Sequence, residues 1–397
     1  MLLLLESTFI LLNKMNKESI QTIQLKFTEE FGKKPTIIFS PGRINLIGEH
    51  TDYNNGFVFP AAIDKGIYLA IEKTEANFST AIALDMNEQF EFNLNDLKPT
   101  QKGSWKNYIL GVVSEIQQEE KIIENFNIVF KGDIPNGAGL SSSAALENSV
   151  VFGLNELFNL ELTRQEMIYI SQKAEHNFVG VKCGIMDQFA SMFGKENEAI
   201  LLDCKDLKRT YFQIDFKEYD ILLINTNVKH NLSESAYNER RTVCEKIADL
   251  LKVDSLREVS LNHLDTIKEK ILLEEYKKAT YVIEENKRVI DASKALKNKD
   301  LISFGKLLYE SHSGLQHQYN VSCTELDFLI ENAKENKNIL GARMMGGGFG
   351  GCTINIIKKE SVKEFSNNIE EEFNQKFNSN CSFYSVKLSN GTHIIED

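Results

Sequence analysis

From Asn16 to Phe31 the apolar residues Ile20, Ile23, Phe27 and Phe31 return at helical spacing, and Gly32 follows as a C-terminal stop. The period then changes. TIIFSPGR is a short apolar run leading into a turn. Residues 57–95 alternate apolar and polar positions in segments such as IYLAIEKT and QFEFNLN, which predicts antiparallel strands. NFNIVFKGDIP reads as a further strand and feeds the glycine-rich stretch GDIPNGAGLSSSAALENSV, residues 132–150. LTRQEMIYISQKAEHNFVG predicts a helix whose start carries a capping box, Thr163 with Glu166. EAILLD and DILLINT, between residues 198 and 226, are continuous apolar runs of the buried-strand type. Beyond them the pattern is mostly helical to about residue 337. LGARMMGGGFGGCTINII brings a second glycine loop and a strand, and a helix near 360–377 and a closing strand complete the chain. Strand-rich and helix-rich stretches are segregated more than alternated, which predicts an α+β fold.

The chain has 397 residues, enough for two ordinary domains with their own cores. No repeat, low-complexity tract or proline-rich linker marks a boundary. The expected division is an N-terminal extension, residues 1–14, a first domain at 15–205 and a second at 206–397. Residues Leu2 to Leu12 are apolar apart from Glu6, Ser7 and Thr8. They lack the basic flank and cleavage site of a signal peptide and are too short to span a bilayer. Residues 1–14 are therefore expected to be dispensable, with Met15 as an alternative start. The formal net charge of −12 argues against nucleic acid and against anionic membrane surfaces as partners. Six scattered cysteines, none in a C-x-x-C pair, read as reduced thiols of a cytoplasmic protein, and the seven histidines show no metal-ligand spacing.

Three polar clusters carry the candidate chemistry. In the first, Gly137 and Gly139 precede Ser141, Ser142 and Ser143, and Ala144, Ala145 and Leu146 begin a helix. Glycines before a helix start let main-chain N–H groups close around an anion, which makes a phosphate site. The same residues also fit a glycine turn capped by serine before an ordinary helix. The P-loop pattern fails for want of a Lys, and the dinucleotide fingerprint fails at Ser142. In the second cluster, SPGRINLIGEHTDYNNG, residues 40–56, Arg43, Glu49, His50 and Asp52 lie within ten positions, with Ile44, Leu46 and Ile47 interleaved. Carboxylates on an anchored loop suit a polyhydroxyl ligand, and a solvated surface turn is the plain alternative. The third, AEHNFVGVKCGIMDQFASMFG, places Glu175 on a helix and Asp187 in a Gly- and Met-rich turn. An Asp there needs a partner, a capping role or a chemical task.

In order and approximate spacing, five stretches resemble the galactokinases of the GHMP small-molecule kinase superfamily. They are PGRINLIGEHTDYNNG, IPNGAGLSSSAA, AEHNFVGVKCGIMDQ, NTNVKHNLSESAYNERR and RMMGGGFGGC. The match runs from Met15 to the C-terminal end. The resemblance implies a two-lobed GHMP kinase fold with ATP and D-galactose in the cleft between lobes. It implies Asp187 as the base beside the sugar's C1 hydroxyl and Arg43 as the charge beside it. Glu49, His50, Thr51, Asp52 and Tyr237 would hold the sugar. Gly137, Ala138, Gly139, Leu140, Ser141, Ser142 and Ser143 would wrap the phosphates of ATP. Trp105, the only tryptophan, would sit by the adenine, although a lone core aromatic reads equally well. Ser143 and Glu175 would ligate Mg²⁺, and Gly346 to Gly351 would close against the site. Met345 departs from the family, which usually has Thr there. A monomer is expected. Kinases for N-acetylgalactosamine or arabinose share these motifs, as does a non-catalytic sugar sensor, although the Ser141–Ala145 run a sensor would lose is complete here.

Overall fold

The computed structural model describes residues 2–135, 137–228 and 233–396. Residues 229–232 of the NTNVKHNLSESAYNERR stretch lie outside them. Helix α1 (Leu2–Phe31) ends where Gly32, at φ 66°, donates its N–H back to the Thr28 carbonyl. Strand β1 (Thr36–Asn45) then runs straight through Ser-Pro-Gly-Arg, where the sequence suggests a turn. A bulge between Pro41 and Arg43 absorbs the proline, which has no N–H for the ladder, and re-aims Arg43. After β2 (Phe57–Val58) come β3 (Pro60–Lys73), β4 (Ser79–Ala83), β5 (Glu88–Phe92), helix α2 (Lys106–Gln118) and β6 (Phe126–Gly132). Helices α3 (Ser142–Phe158), α4 (Arg164–Ala174) and α5 (Met186–Phe193) follow, α4 opening with the expected Thr163–Glu166 capping box.

The hairpin β7 (Glu198–Asp203) and β8 (Lys208–Gln213) leads to β9 (Tyr219–Asn225). The helical half contains α6 (Ser233–Leu251), α7 (Leu261–Asp265), α8 (Leu273–Lys297), α9 (Leu301–His317) and α10 (Thr324–Glu335). Strands β10 (Ile339–Met344) and β11 (Cys352–Lys358), helix α11 (Val362–Phe377), β12 (Ser382–Val386) and β13 (His393–Ile394) end the chain. The strands form sheets of order β13-β1-β3-β6-β4-β5, β10-β11-β9-β12 and β2-β7-β8. All pairings are antiparallel except β4 with β6.

Alternation along the strands explains the layers. On β1, Ile37 and Phe39 face Ile23 and Phe27 of α1, while Ile38 joins the core made with α2, α3, α4 and α5. On β9, Ile221 and Leu223 face α8 and α9, and Leu222 and Ile224 face α10 and α11. Both faces are covered, which is why β9 reads as an unbroken apolar run. The core of Ile221 and Leu223 extends between the lobes. There Ile44, Leu46, Ile47 and Phe59 meet Ala138, Leu140, Leu223, Met345 and Ile354. This apolar plate is the floor on which the polar loops rest. Residue 205 falls in the turn between β7 and β8, and β13 returns to pair with β1. Among the described residues no helix is long and apolar enough to cross a membrane.

Candidate active site

A cleft of about 300 Å³ opens above the inter-lobe core, and Arg43, Glu49, His50, Asp52, Glu175, Asp187 and Tyr237 all line it. Residues distant in sequence therefore converge. Arg43, delivered by the β1 bulge, donates from Nε to Asp187 Oδ1 at 2.7 Å and from Nη2 to Oδ2 at 2.9 Å. Its Nη1 reaches the Gly139 carbonyl at 2.6 Å. Ser141 Oγ donates to Asp187 Oδ2, also at 2.6 Å. Asp187 thus accepts three hydrogen bonds, from a cation and a hydroxyl, and still lines the cleft. It stands in the first turn of α5, not in a free turn as the sequence suggests.

The signature loop is held from below. Glu49 is buried, and its Oε1 accepts from Arg343 Nη2 at 3.0 Å and from the Gly346 N–H at 2.9 Å. Arg343 is fully buried and also donates to the carbonyls of Leu46, Asn45 and Met344. Glu285 of α8 takes the Gly48 N–H at 3.0 Å and the Ser311 hydroxyl at 2.6 Å. Three expected ligand residues, Thr51, His50 and Trp105, have partners within the protein. Thr51 is fully buried and donates its hydroxyl to the Gly48 and Phe57 carbonyls, so it braces the loop and does not face the cleft. His50 lines the cleft, but Nδ1 pairs with Tyr53 Oη at 2.7 Å and Nε2 with the Gly347 carbonyl at 3.2 Å. Neither ring nitrogen is open to a sugar. Tyr237 packs its ring 5.4 Å from that of His50.

The glycine loop does not itself line the cleft but is tied to its wall, Gly139 through Arg43 and Ser141 through Asp187. Gly137, Gly139 and Ser141 have φ of 70°, 69° and 58°, so alternate residues are left-handed and their N–H groups converge. Ser141 occupies the N-cap position of α3 without capping it, because its hydroxyl is bound to Asp187. The amino end of a 17-residue helix, beside Asp187, is therefore left without a side-chain cap. Ser142 and Ser143 form its first turn. The Ser143 hydroxyl lies within hydrogen-bonding reach of the Glu175 carboxylate. Gly346 to Gly351 turns against this loop, a Cβ at Gly346 or Gly351 lying 3.5–3.6 Å from the Gly139 or Gly137 carbonyl oxygen. Met345 is buried with Ala138 and Leu140, so an apolar contact seats the loop where the family usually has a hydroxyl. Trp105 does not line the cleft. It is buried edge-on to Phe90 and Phe130, and its indole N–H donates to Glu88 at 3.0 Å. Its nearest role is that of a core aromatic.

Two site residues escape notice in the sequence. Gln188, fully buried, donates to Glu147 at 3.2 Å and to Glu175 at 3.0 Å and so ties two carboxylates together. Cys183 lines the cleft 3.6 Å from Glu175. Their signal is weak, since neither breaks the local pattern. Burial and the neighbouring Asp187 raise the Glu175 carboxyl to about 7, and burial with nearby Glu175 pushes Glu147 well above the carboxylate range. Burial, then Asp187, raises Asp52 to about 7. Gly184 packs its backbone onto the Asp52 carboxylate, and a Cβ there would overlap it.

A raised folded-state value fixes the sign for Asp52. Its contribution to stability is complete below about pH 4, the ordinary carboxylate value, and is lost as pH rises through about 7. The neutral Asp52→Asn side chain escapes this loss. In ligand-free protein it should gain stability over the parent at pH 8, by up to about 4 kcal/mol for three pKa units, and the gain should vanish near pH 4. Thermal unfolding of both proteins from pH 4 to 8 checks this. Parallel curves would contradict it.

Family models match three segments of the chain. The galactokinase galactose-binding signature covers residues 25–73, the GHMP kinases N terminal domain residues 107–195, and the GHMP kinases C terminal model residues 292–375. The chain is 41% identical over 388 residues to a galactokinase of Clostridium acetobutylicum, covering 95% of this chain and 99% of that protein. It is 44% identical to a galactokinase of Thermosipho africanus over 90% of this chain and 99% of that one. The crystal structure of Lactococcus lactis galactokinase complexed with galactose superposes with a TM-score of 0.89 at 37% identity, covering 94% of this chain and 98% of that one. The mevalonate kinase of Methanococcus jannaschii, at 21% identity and a TM-score of 0.64 over 90% of this chain and 99% of that one, shares the fold.

Proposed function

The chain belongs to the galactokinase family, and from that premise we propose that it transfers the terminal phosphoryl group of ATP to the C1 hydroxyl of D-galactose, giving galactose 1-phosphate and ADP. The observation that carries the reading is the placement of Asp187. Its carboxylate stands between the glycine loop and the cleft, bound by Arg43 at both oxygens and by Ser141 at Oδ2. Phosphoryl transfer asks mainly for alignment and charge neutralisation. The uncapped amino end of α3 and the loop amides take the phosphates. Glu49, Asp52 and Tyr237 take sugar hydroxyls. Asp187 accepts the C1 hydroxyl and orients its oxygen toward the phosphorus.

Arg43 has two effects. It offsets charge as the phosphoryl group moves, and its two hydrogen bonds hold the Asp187 carboxylate in place. A carboxylate pinned at both oxygens acts first as an orienter and takes the proton late, as the oxygen–phosphorus bond forms. That proton remains on Asp187 until product leaves.

The oxygen set fits Mg²⁺. Among the described residues no group of three His, Cys, Asp or Glu side chains could hold a metal unaided. One carboxylate, Glu175, and one hydroxyl, Ser143, lie together instead, which suits a hard cation that takes its other ligands from nucleotide oxygens and water. When bound, Mg²⁺ would neutralise phosphate charge. Gln188 keeps Glu175 turned toward Ser143. Glu175→Ala should raise the Mg²⁺ concentration needed for half-maximal rate by about tenfold, the loss of one charged ligand. Mn²⁺ binding followed by electron paramagnetic resonance should weaken in parallel, and unchanged binding would remove Glu175 from the shell.

The reading takes the protein as a monomer in the cytoplasm. Six free cysteines, four of them buried, support a reducing compartment, and the net charge of −12 weighs against nucleic-acid and anionic-membrane partners. The test of function is a panel of hexoses and pentoses with ATP, the phosphorylated product identified by ³¹P and ¹H NMR. Galactose 1-phosphate as the fastest-formed product is expected. Faster turnover of N-acetylgalactosamine or arabinose, or binding of galactose without turnover, would overturn it.

A further inference from the structure

Behind the cleft a row of buried hydrogen bonds runs from Cys244 to the Gly346–Gly351 loop. Cys244 Sγ lies 3.4 Å from Tyr319 Oη, Tyr319 Oη 2.8 Å from Tyr53 Oη, Tyr53 Oη 2.7 Å from His50 Nδ1, and His50 Nε2 3.2 Å from the Gly347 carbonyl. His50, Cys244 and Tyr319 are all at least 96% buried. None of these contacts involves a group that the proposed reaction consumes.

The direction of every proton in the row is fixed by its end. A carbonyl oxygen only accepts, so His50 Nε2 carries hydrogen. Burial holds the imidazole neutral, lowering it to about 3, so Nδ1 is a bare acceptor and Tyr53 donates to it. Tyr53 has one proton, so its oxygen accepts from Tyr319. By the same count Tyr319 accepts from the Cys244 thiol. The opposite order would set a lone pair of Nε2 against the lone pairs of the Gly347 carbonyl.

The row bears on the cleft at its last bond. Gly347 is part of the cleft wall, and a Cβ there would lie 3.5 Å from the Tyr237 ring. His50 itself sits at φ 62°, a left-handed conformation that a non-glycine residue keeps only when its surroundings enforce it. The surroundings do so. Asn54 donates to the His50 carbonyl at 3.0 Å, and the rings of Tyr53, Tyr237 and Tyr319 stand 5.8, 5.4 and 4.9 Å from the imidazole. Arg240 fixes the far end by donating to the Tyr319 carbonyl at 3.0 Å.

We infer that Tyr53 and Tyr319 are positioning residues that act through the Nε2–H tautomer of His50 on the Gly347 carbonyl, and so set the sugar-facing wall of the cleft and its affinity for the hexose. The inference about the hexose rests on the galactose reading above, whereas the tautomer does not. Breaking the row should therefore weaken sugar binding and leave the phosphoryl side alone.

The test pairs spectroscopy with kinetics. In ligand-free protein labelled with ¹⁵N-histidine, a long-range ¹H–¹⁵N correlation at neutral pH should show His50 as the Nε2–H form, its signal assigned by loss in His50→Gln. In Tyr53→Phe and Tyr319→Phe the Nδ1 resonance should shift. KM for galactose should rise about tenfold in Tyr53→Phe and about threefold in Tyr319→Phe, the scale of one hydrogen bond lost directly or through a neighbour. Their kcat and KM for ATP should stay within about twofold. Should Tyr53→Phe fail to fold, Tyr319→Phe carries the same test. An imidazolium or an Nδ1–H form of His50 would overturn the inference. So would an unchanged galactose KM in folded variants, or an equal loss in kcat. Absence of galactose phosphorylation by the parent would defeat the functional reading and leave the tautomer result to judge the row by itself.

Discussion

Asp187→Asn is expected to lower kcat by about 10³-fold or more, combining a proton-transfer share of roughly 10²–10⁴ with lost orientation of the sugar oxygen. The amide cannot accept on both edges from Arg43 and Ser141, so one of the donors now bound at 2.6–2.9 Å meets an N–H. Asp187→Ala should lose as much. The fold should survive both changes, because Asp187 is one of several carboxylates crowded around the cleft. Asp187 is the second cause, after burial, of the raised Asp52 and Glu175 values, so both should move back toward the ordinary carboxylate range in the Asn variant. A steady-state ADP assay with a cooperative unfolding transition checks the pair of statements. Near-parental turnover in folded Asp187→Asn would refute both the base and the orienter role.

Arg343→Met should be the most damaging substitution away from the reacting atoms. The guanidinium is fully buried and binds the Leu46, Asn45 and Met344 carbonyls and the Glu49 carboxylate. Removing it strands a buried carboxylate, which costs about 3–5 kcal/mol when one partner of a buried pair is lost. Lys cannot replace the planar fork, so Arg343→Lys should recover little. Denaturant unfolding should show the loss, and KM for galactose should rise more than KM for ATP, since Glu49 belongs to the sugar wall. Parental stability in Arg343→Met would show that the signature loop is held by other contacts.

Much of this site is legible in the sequence because its pieces are local. The loop before α3 announces itself through Gly137, Gly139 and the serine run. Their partners are less legible, because the chain folds distant segments onto them. Arg343 and Glu285 lie hundreds of positions from the loop that they hold. The one hint for Arg343 is a charged residue inside the apolar run LGARMM. Thr51, His50 and Trp105 show the opposite limit. Their types suit ligand binding, but burial and pairing to Phe57, Gly347 and Glu88 decide their roles. Likewise, the strand through Ser40–Arg43 overrides the turn that Pro-Gly suggests, since pairing along β3 outweighs local propensity.

The most direct measurement is a crystal structure with D-galactose and a non-hydrolysable ATP analogue bound together. The sugar's O1 should lie within hydrogen-bonding distance of Asp187, with the terminal phosphorus beyond it at the amino end of α3. A triphosphate seated away from Gly137–Ser143, or a galactose whose O1 faces away from Asp187, would contradict the account.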